Sequence, residues 1–553
     1  MFSALATAFV PAKGWTEENA SAPLHARIDL QIEAAAGKAG FAPLTDDGEF
    51  VRRISLDLAG AIPTPETVRN FIADSSSDKR TRLIDELLAS PEWASRMADF
   101  FHVILMERRG DDPDWRVWLE KSFADNKPWN QLVYQILNAD AEDEENRAAA
   151  YFMSKRLEKY GQNPVDYPGL VRDVGRLFLG QDLQCAECHD HLFIDDYKQL
   201  DFQGLFAVYR NTFVRRDVQF PAVGEKAMTA PVEFVSVFDP TQRKTGPRIP
   251  GGTAFTIPEP KPAESPVPKK KQPEPPRPEW SAVELLAREL TRPENRQFAR
   301  TTVNRLWYAL LGRGLVHPVD LDHSGNPPSH PELLDLLTDQ FVTHDYDLKW
   351  LIREIVLSKT WQRSSRLPED AVRPEPKSFA VAIERPLMAE QLLASVIRAT
   401  GSAELLKVAV DQAAENESPA DKDSTTATAP DDSLPPTRAE LETAFASAFA
   451  NEAREPEGEF TATVKGALFW RNSDPVQKLL IRRPGNLVDR LMKTEQPSLL
   501  IDELYLSVLS RLPSEEEQSV LAAFLNDSGT DRETAVRDAV WALMTSIEFY
   551  VNH

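Results

Sequence analysis

Two cysteines stand in a chain of 553 residues, and both fall in one nonapeptide, Cys185-Ala186-Glu187-Cys188-His189-Asp190-His191-Leu192-Phe193. No other thiol exists for either to pair with, so the fold has to present this stretch as a unit. The spacing C-x-x-C-H is that of c-type haem attachment. Two thiolates on one short turn reach one edge of a porphyrin and add across its vinyl groups, and the adjoining histidine is swung beneath the ring to ligate the iron. Two other readings stand beside it. The pair can close a small structural disulfide or form a thioredoxin-like redox couple. Cys185, Cys188, His189 and His191 can also make a two-Cys, two-His zinc set, although adjacent ligands rarely reach one tetrahedral metal. Haem c ranks first, with zinc the weaker alternative.

On the haem reading Cys185 and Cys188 are the tethers and His189 is the proximal ligand. Asp190 then either orients the His189 ring through its other nitrogen or caps a helix. His191 is too near in sequence to reach the opposite face of the same ring. It reads as a hydrogen-bonding residue of the turn, or as a metal ligand if zinc is bound. A distal ligand has to come from elsewhere in the same domain, and His102, Met97, Met106 and Met153 are the candidates. All four lie in apolar helical surroundings, where methionine is commonly core filler. Without a sixth ligand the iron is open to peroxide or small gases; with methionine the potential rises and electron transfer is the natural role.

Composition bounds the rest. With 63 basic and 86 acidic residues the net charge is −23, and the acidic residues are spread along the chain. Such a surface gains nothing from phosphate neutralisation, which argues against a nucleic-acid partner. No stretch approaches the roughly 20 apolar residues of a membrane span. Residues 2–12 (FSALATAFVPA) resemble the end of a secretory signal with a small-residue tail. Together with haem attachment, which takes place outside the cytoplasm, they point to a periplasmic or extracellular protein.

The pattern along the chain is mainly helical. Residues 1–23 read as an arm or a signal remnant, and 24–211 as a helical, cytochrome-like domain. Apolar residues at helical spacing over Phe50–Leu58 end at Gly60 and Pro63. Thr64-Pro65 and Ser90-Pro91 read as N-caps followed by proline at N1. Val165–Leu179 is a helix leading directly into the cysteines. Residues 212–257 alternate or are β-branched at Val218–Phe220, Val232–Phe238 and Ala254–Ile257, which predicts a small antiparallel β insertion. Residues 258–279 form a Pro-rich linker. Residues 280–553 return to helices, with a disordered, low-complexity excursion at about 411–436.

The order of several stretches resembles the planctomycete cytochrome-like protein family. They are residues 50–66 (FVRRISLDLAGAIPTPE), 177–191 (LFLGQDLQCAECHDH), 292–295 (RPEN), 303–307 (VNRLW), 312–316 (GRGLV), 327–335 (PPSHPELLD) and 539–549 (AVWALMTSIEF). In that family an N-terminal domain of unknown function, number fifteen-forty-nine, precedes a C-terminal one, number fifteen-fifty-three. The resemblance implies an exported protein named for its C-x-x-C-H motif. Members often carry a separate cytochrome c domain that this chain lacks, so it has one candidate haem site.

In the second helical domain Asp320, Asp322, His323, Ser324, Asn326, Ser329 and His330 form a polar loop, a candidate ligand site because loops often carry function. Ser329-His330-Pro331 reads equally as a helix start. Arg305 and Arg313 are candidate carboxylate binders, although arginines in such settings commonly pair internally. Three functions follow. The first is a single-haem protein for electron transfer or haem redox chemistry, with a redox protein as partner. The second is a non-haem exported binding protein with a Cys185–Cys188 disulfide, its His330 loop meeting a ligand such as a polysaccharide surface. The third, with little in its support, is a hydrolase or oxidoreductase built on histidines and carboxylates.

Overall fold

The computed structural model describes residues 21–36, 40–259, 277–368, 370–406, 435–455, 464–526, 529 and 531–553. The expected arm up to residue 20, residues 260–276 of the linker and residues 411–434 of the low-complexity excursion lie outside them. Nine α-helices are described before the cysteines: α1 (Leu24–Ala36), α2 (Asp47–Ala59), α3 (Pro65–Ala73), α4 (Lys79–Ala89), α5 (Pro91–Met106), α6 (Pro113–Ala124), α7 (Trp129–Leu137), α8 (Tyr151–Arg156) and α9 (Tyr167–Leu179). After them come α10 (Gln199–Tyr209) and the strands β1 (Thr212–Val214), β2 (Val223–Glu225), β3 (Val232–Ser236) and β4 (Asp239–Thr245). The second helical unit opens with α11 (Ala282–Thr291), α12 (Arg296–Leu311), α13 (Pro331–Thr343), α14 (Leu348–Leu357) and α15 (Lys359–Gln362). It continues through β5 (Arg385–Pro386), α16 (Ala389–Thr400), α17 (Arg438–Phe449), α18 (Val464–Asn472), α19 (Asp474–Leu479), α20 (Leu487–Lys493), α21 (Pro497–Val508), α22 (Glu515–Leu525), α23 (Arg532–Met544), α24 (Ile547–Tyr550) and β6 (Val551–Asn552).

The punctuation read from sequence is what ends and starts these helices. Asp46 caps α2 by accepting the Glu49 N–H at 2.8 Å, and Gly60, at φ 74°, closes it in the left-handed conformation that glycine adopts without strain. Thr64 accepts the Thr67 N–H at 3.1 Å, with Pro65 at N1 of α3. Four short antiparallel strands fall within the expected insertion at 212–257, and β3 lies inside the expected Val232–Phe238 segment, but the other expected segments, Val218–Phe220 and Ala254–Ile257, are not strands. Instead β1 pairs with β2 and β3 with β4, in two separate two-stranded antiparallel sheets. Alternation alone reads Val232–Phe238 as one strand; Ser236 pairs with Asp239, so Val237 and Phe238 form a two-residue turn.

The larger hydrophobic core is continuous across the linker. It joins side chains of α1 to α10 to those of α11 to α15, among them Phe298, Val303, Trp307, Leu333, Leu351 and Trp361. A second core gathers the remaining C-terminal helices around Leu392, Trp470, Leu487, Leu504, Val540 and Phe549. Helix α2 belongs to both, giving Phe50, Val51, Ile54 and Leu58 to the first and Leu56 to the second.

Four charged residues of α2, Glu49, Arg52, Arg53 and Asp57, are buried at this seam. Arg53 donates to the carbonyls of His553 (2.9 Å), Trp361 (2.8 Å) and Arg363 (2.7 Å), and pairs with Glu49 at 2.7 Å. Arg52 donates to the carbonyls of Glu548 and Phe549 at 3.0 and 3.1 Å. Asp57 accepts from Arg385 at 2.9 Å, from the Trp361 indole at 3.2 Å and from Asn552 at 2.8 Å. Burial lowers both arginines to about 10, which leaves them charged at neutral pH. Removing one member of such a set strands the others without partners. Arg53→Met should therefore cost about 3–5 kcal/mol of unfolding free energy. Breaking the exposed Arg296–Asp339 pair should cost below about 1 kcal/mol. Urea titrations of the two variants check the contrast, and equal losses would refute it.

His102, in α5, is buried and accepts the Trp115 indole N–H on Nδ1 at 3.1 Å. Burial, with Arg116 nearby, lowers its pKa to about 4. An unfolded chain, with histidine near 6.5, binds the extra proton first as pH falls. Stability tied to this residue is therefore intact above about pH 6.5 and is lost toward pH 4, by about 3 kcal/mol. His102→Gln keeps an acceptor for Trp115 and cannot titrate. Unfolding free energies measured from pH 7 to 4 should fall less steeply in this variant.

Candidate functional site

Helix α9 ends at Gly180, whose φ of 65° turns the chain out of the helix. A Cβ at this position would meet Thr301 Oγ1 at 3.0 Å, so the close approach to α12 also favours glycine. The chain then runs antiparallel to the second unit's loop. Gln181 bridges Leu321, the Asp182 N–H reaches the Asp320 carbonyl at 3.0 Å, and the Asp322 N–H reaches the Gly180 carbonyl at 2.9 Å. One 3-10 turn follows over Cys185–Glu187, and the Cys188 N–H points back to the Cys185 carbonyl at 3.4 Å. Ala186, between the cysteines, is fully buried and pins the turn, while both cysteines are exposed and free of any disulfide. Glu187 pairs with Arg172 at 2.9 Å, and its carbonyl accepts from Gln203 at 3.2 Å.

The two histidines are held in opposite senses. His189 places Nδ1 2.7 Å from the backbone carbonyl of Asp190. A carbonyl oxygen can only accept, so Nδ1 carries the proton and the lone pair of the neutral ring is on Nε2. His191 instead accepts the N–H groups of Phe193 (3.1 Å) and Ile194 (3.0 Å) on Nδ1. Its Nε2 therefore carries the proton and has no lone pair to give. The Asp190 carboxylate accepts the Gln199 N–H at 2.9 Å, at the start of α10. Residue 190 thus meets His189 through its backbone carbonyl and the first residue of α10 through its side chain.

The structure brings the cysteine turn and the polar loop of the second unit together. The Tyr197 ring meets His191 on one side and His323 on the other, at centroid distances of 6.0 and 5.7 Å, and its hydroxyl donates to the Asp322 carbonyl at 3.3 Å. Ser324 is bonded through both its N–H and its hydroxyl to Asp196. Within the loop the polar groups serve the fold. Asp320 pairs with Arg305 at 2.6 Å and Arg176 at 3.4 Å, and Asp322 with Arg300 at 2.8 Å. Asn326 donates to the Leu321 carbonyl at 2.8 Å, and the Ser329 hydroxyl to the Leu315 carbonyl at 3.3 Å. His330 is buried against Phe379 with Nδ1 3.1 Å from the Ser329 hydroxyl, at the N-cap of α13 with Pro331 at N1. Burial pushes its pKa down.

The four candidate distal residues lie deeper. Met97, Met106 and Met153 are buried in the main core, and His102 is engaged with Trp115. Both cysteines face solvent, so ligation by any of the four requires the macrocycle to enter the core or the residue to leave it. Among the described residues no group of three or more His, Cys, Asp or Glu is arranged to hold a metal ion. The residues missed by sequence reasoning belong to the β3–β4 hairpin. The Val237 N–H donates to the Cys188 carbonyl at 3.1 Å, Gln199 donates to the Val235 carbonyl at 3.0 Å, and the Phe238 ring lies 4.8 Å from His189. Their only trace in the sequence is two apolar residues where a turn falls.

Residues 27–213 match the family model PSCyt2, described as a protein of unknown function (DUF1549), and residues 284–525 match PSD1, described likewise (DUF1553). No curated protein and no solved structure matches the chain. The first match contains the cysteine turn and the buried-charge helix α2, and the second contains the loop that packs on the turn. The chain belongs to the family in which a PSCyt2 (DUF1549) domain is followed by a PSD1 (DUF1553) domain.

Proposed function

We propose that this protein is an exported, c-type cytochrome-like protein that carries one covalent haem on Cys185, Cys188 and His189, for electron transfer or haem redox chemistry. The observation that carries the reading is the His189 tautomer. Its Nε2 lone pair is free to ligate, on the same turn as two exposed, unpaired thiols. The donor set therefore fits the group. In the attachment each S–H bond is broken, a C–S bond forms to a vinyl carbon, and the proton goes to the other vinyl carbon, so no oxidant is needed. Once bound, haem supplies a reversible one-electron iron couple. The chain's own part is positional. The Asp190 carbonyl fixes the ring and raises the basicity of Nε2, while Gln203 and buried Ala186 hold the turn in place. An acceptor on Nδ1 also favours the oxidised iron, because it adds electron density to the ligand.

The alternative, a non-haem polysaccharide-binding protein, rests on a Cys185–Cys188 disulfide and on a polar loop free to meet a ligand. The thiols are separate, and the loop residues Asp320, Asp322, Asn326 and Ser329 are engaged by neighbours. Export is part of the proposal because haem attachment of this kind takes place outside the cytoplasm; residues 2–12 lie outside the described residues. Among the described residues no helix is long and apolar enough to cross a membrane. The test is a pyridine haemochrome spectrum on protein matured in a periplasm with the c-haem machinery, beside a Cys185→Ser/Cys188→Ser control. A band that survives acid extraction and is absent from the control is expected. A colourless wild-type protein with the mass of the bare chain would refute the reading.

A further inference from the structure

The surface around the cysteine turn is apolar where an acidic protein should be polar. Leu192 and Phe193, directly after His191, are 62% and 91% exposed, and Val235, Val237 and Phe238 on the hairpin are 54%, 67% and 68% exposed. Val232 and Phe234 of the hairpin are buried, and Glu233, Asp239, Thr241, Gln242, Arg243 and Lys244 along its strands are polar. Its large exposed apolar side chains are therefore confined to the end at the Val237–Phe238 turn.

That end also breaks the rule for its own geometry. Two-residue hairpin loops favour Asn-Gly or Gly-containing pairs, whose positive φ matches the strand twist. Here Val237-Phe238 occupy the turn, and neither has a positive φ. A register shift between Phe234 and Ser236 takes up the difference. Large apolar side chains held in water by a turn that does not suit them need a partner surface. The hairpin is also fixed in place relative to the turn, since Val237 N–H and the Val235 carbonyl are bonded to Cys188 and Gln199, and Phe238 already touches the His189 ring.

We propose that Val235, Val237 and Phe238, with Leu192 and Phe193, form the apolar wall that covers the haem tethered at Cys185 and Cys188; the proposal rests on the haem reading above. The patch borders the tether residue Cys188 through its carbonyl and the ligand His189 through its ring, and a porphyrin is a flat apolar body of the kind such a patch excludes water from. The hairpin thus acts as a clip added to the helical domain, which lowers the polarity around the iron and raises its potential.

The experiment compares the full chain with and without covalent haem, and a Val237→Ser/Phe238→Ser variant in its haem-loaded form. Hydroxyl-radical footprinting read by peptide mass spectrometry should show oxidation of Phe193 and Phe238 falling several-fold on haem attachment. The variant should keep the mass of the covalent adduct, because its changes are at exposed positions, and its midpoint potential should move downward. Equal oxidation of Phe193 and Phe238 in both forms, or an unchanged potential in the variant, would overturn the proposal while leaving the haem reading intact. The patch would then face outward, toward a protein partner. A wild-type chain that takes up no haem would overturn both, and is told apart by mass alone.

Discussion

The Arg53 and Asp57 side chains, buried on one helix four residues apart, hold the two halves of this chain together. Arg53 gathers carbonyls from the end of the chain and from the segment after α14. Asp57 gathers an arginine, an indole and an amide from the same two regions. The β5–β6 pair closes beside them, Arg385 opposite Asn552. Buried charges do not by themselves make a protein more stable than a well-packed apolar equivalent. What they do here is specify: apart from Glu49 on the same helix, every partner sits more than 300 residues away in sequence, and only one arrangement of the two cores satisfies all of them.

A second charge set stands behind the cysteine turn and fixes its distance from the C-terminal unit. Arg156 and Arg109 pair with Asp173 at 2.8 and 2.9 Å, and Arg176 joins Glu107 to Asp320. Helix α9, which delivers the cysteines, is therefore locked through its polar face to the loop that Arg305 holds from α12. The turn is exposed, yet its base is rigid.

The helices were legible because their signals are local. Thr64, Ser90 and Gly60 act within one turn of their own positions, and apolar spacing does the rest. The β insertion was legible as a region but its pairing was not, because Val218–Phe220 and Val232–Phe238 both alternate while only the second has a partner, and pairing is not a local property. At the site the motif itself announced Cys185, Cys188 and His189. The meeting of Tyr197 with His323, and of Phe238 with His189, depends on how the β insertion and the second unit fold back over the turn. Nothing in the spacing of those residues encodes it. The loop around His330 looked chemical in sequence because its residues are polar; folded, the same polarity closes a buried helix start and three ion pairs.

The acceptor for His189 is a main-chain oxygen, and it belongs to the very next residue. Every amino acid brings the same carbonyl, so drift at position 190 can loosen the start of α10 without touching the tautomer of the ring beside it. The chemistry of the imidazole is in this sense inherited from the path of the chain, and side-chain replacement at the neighbouring residue cannot erase it. Residue 190 can therefore change with the needs of helix α10 while the histidine keeps the same acceptor.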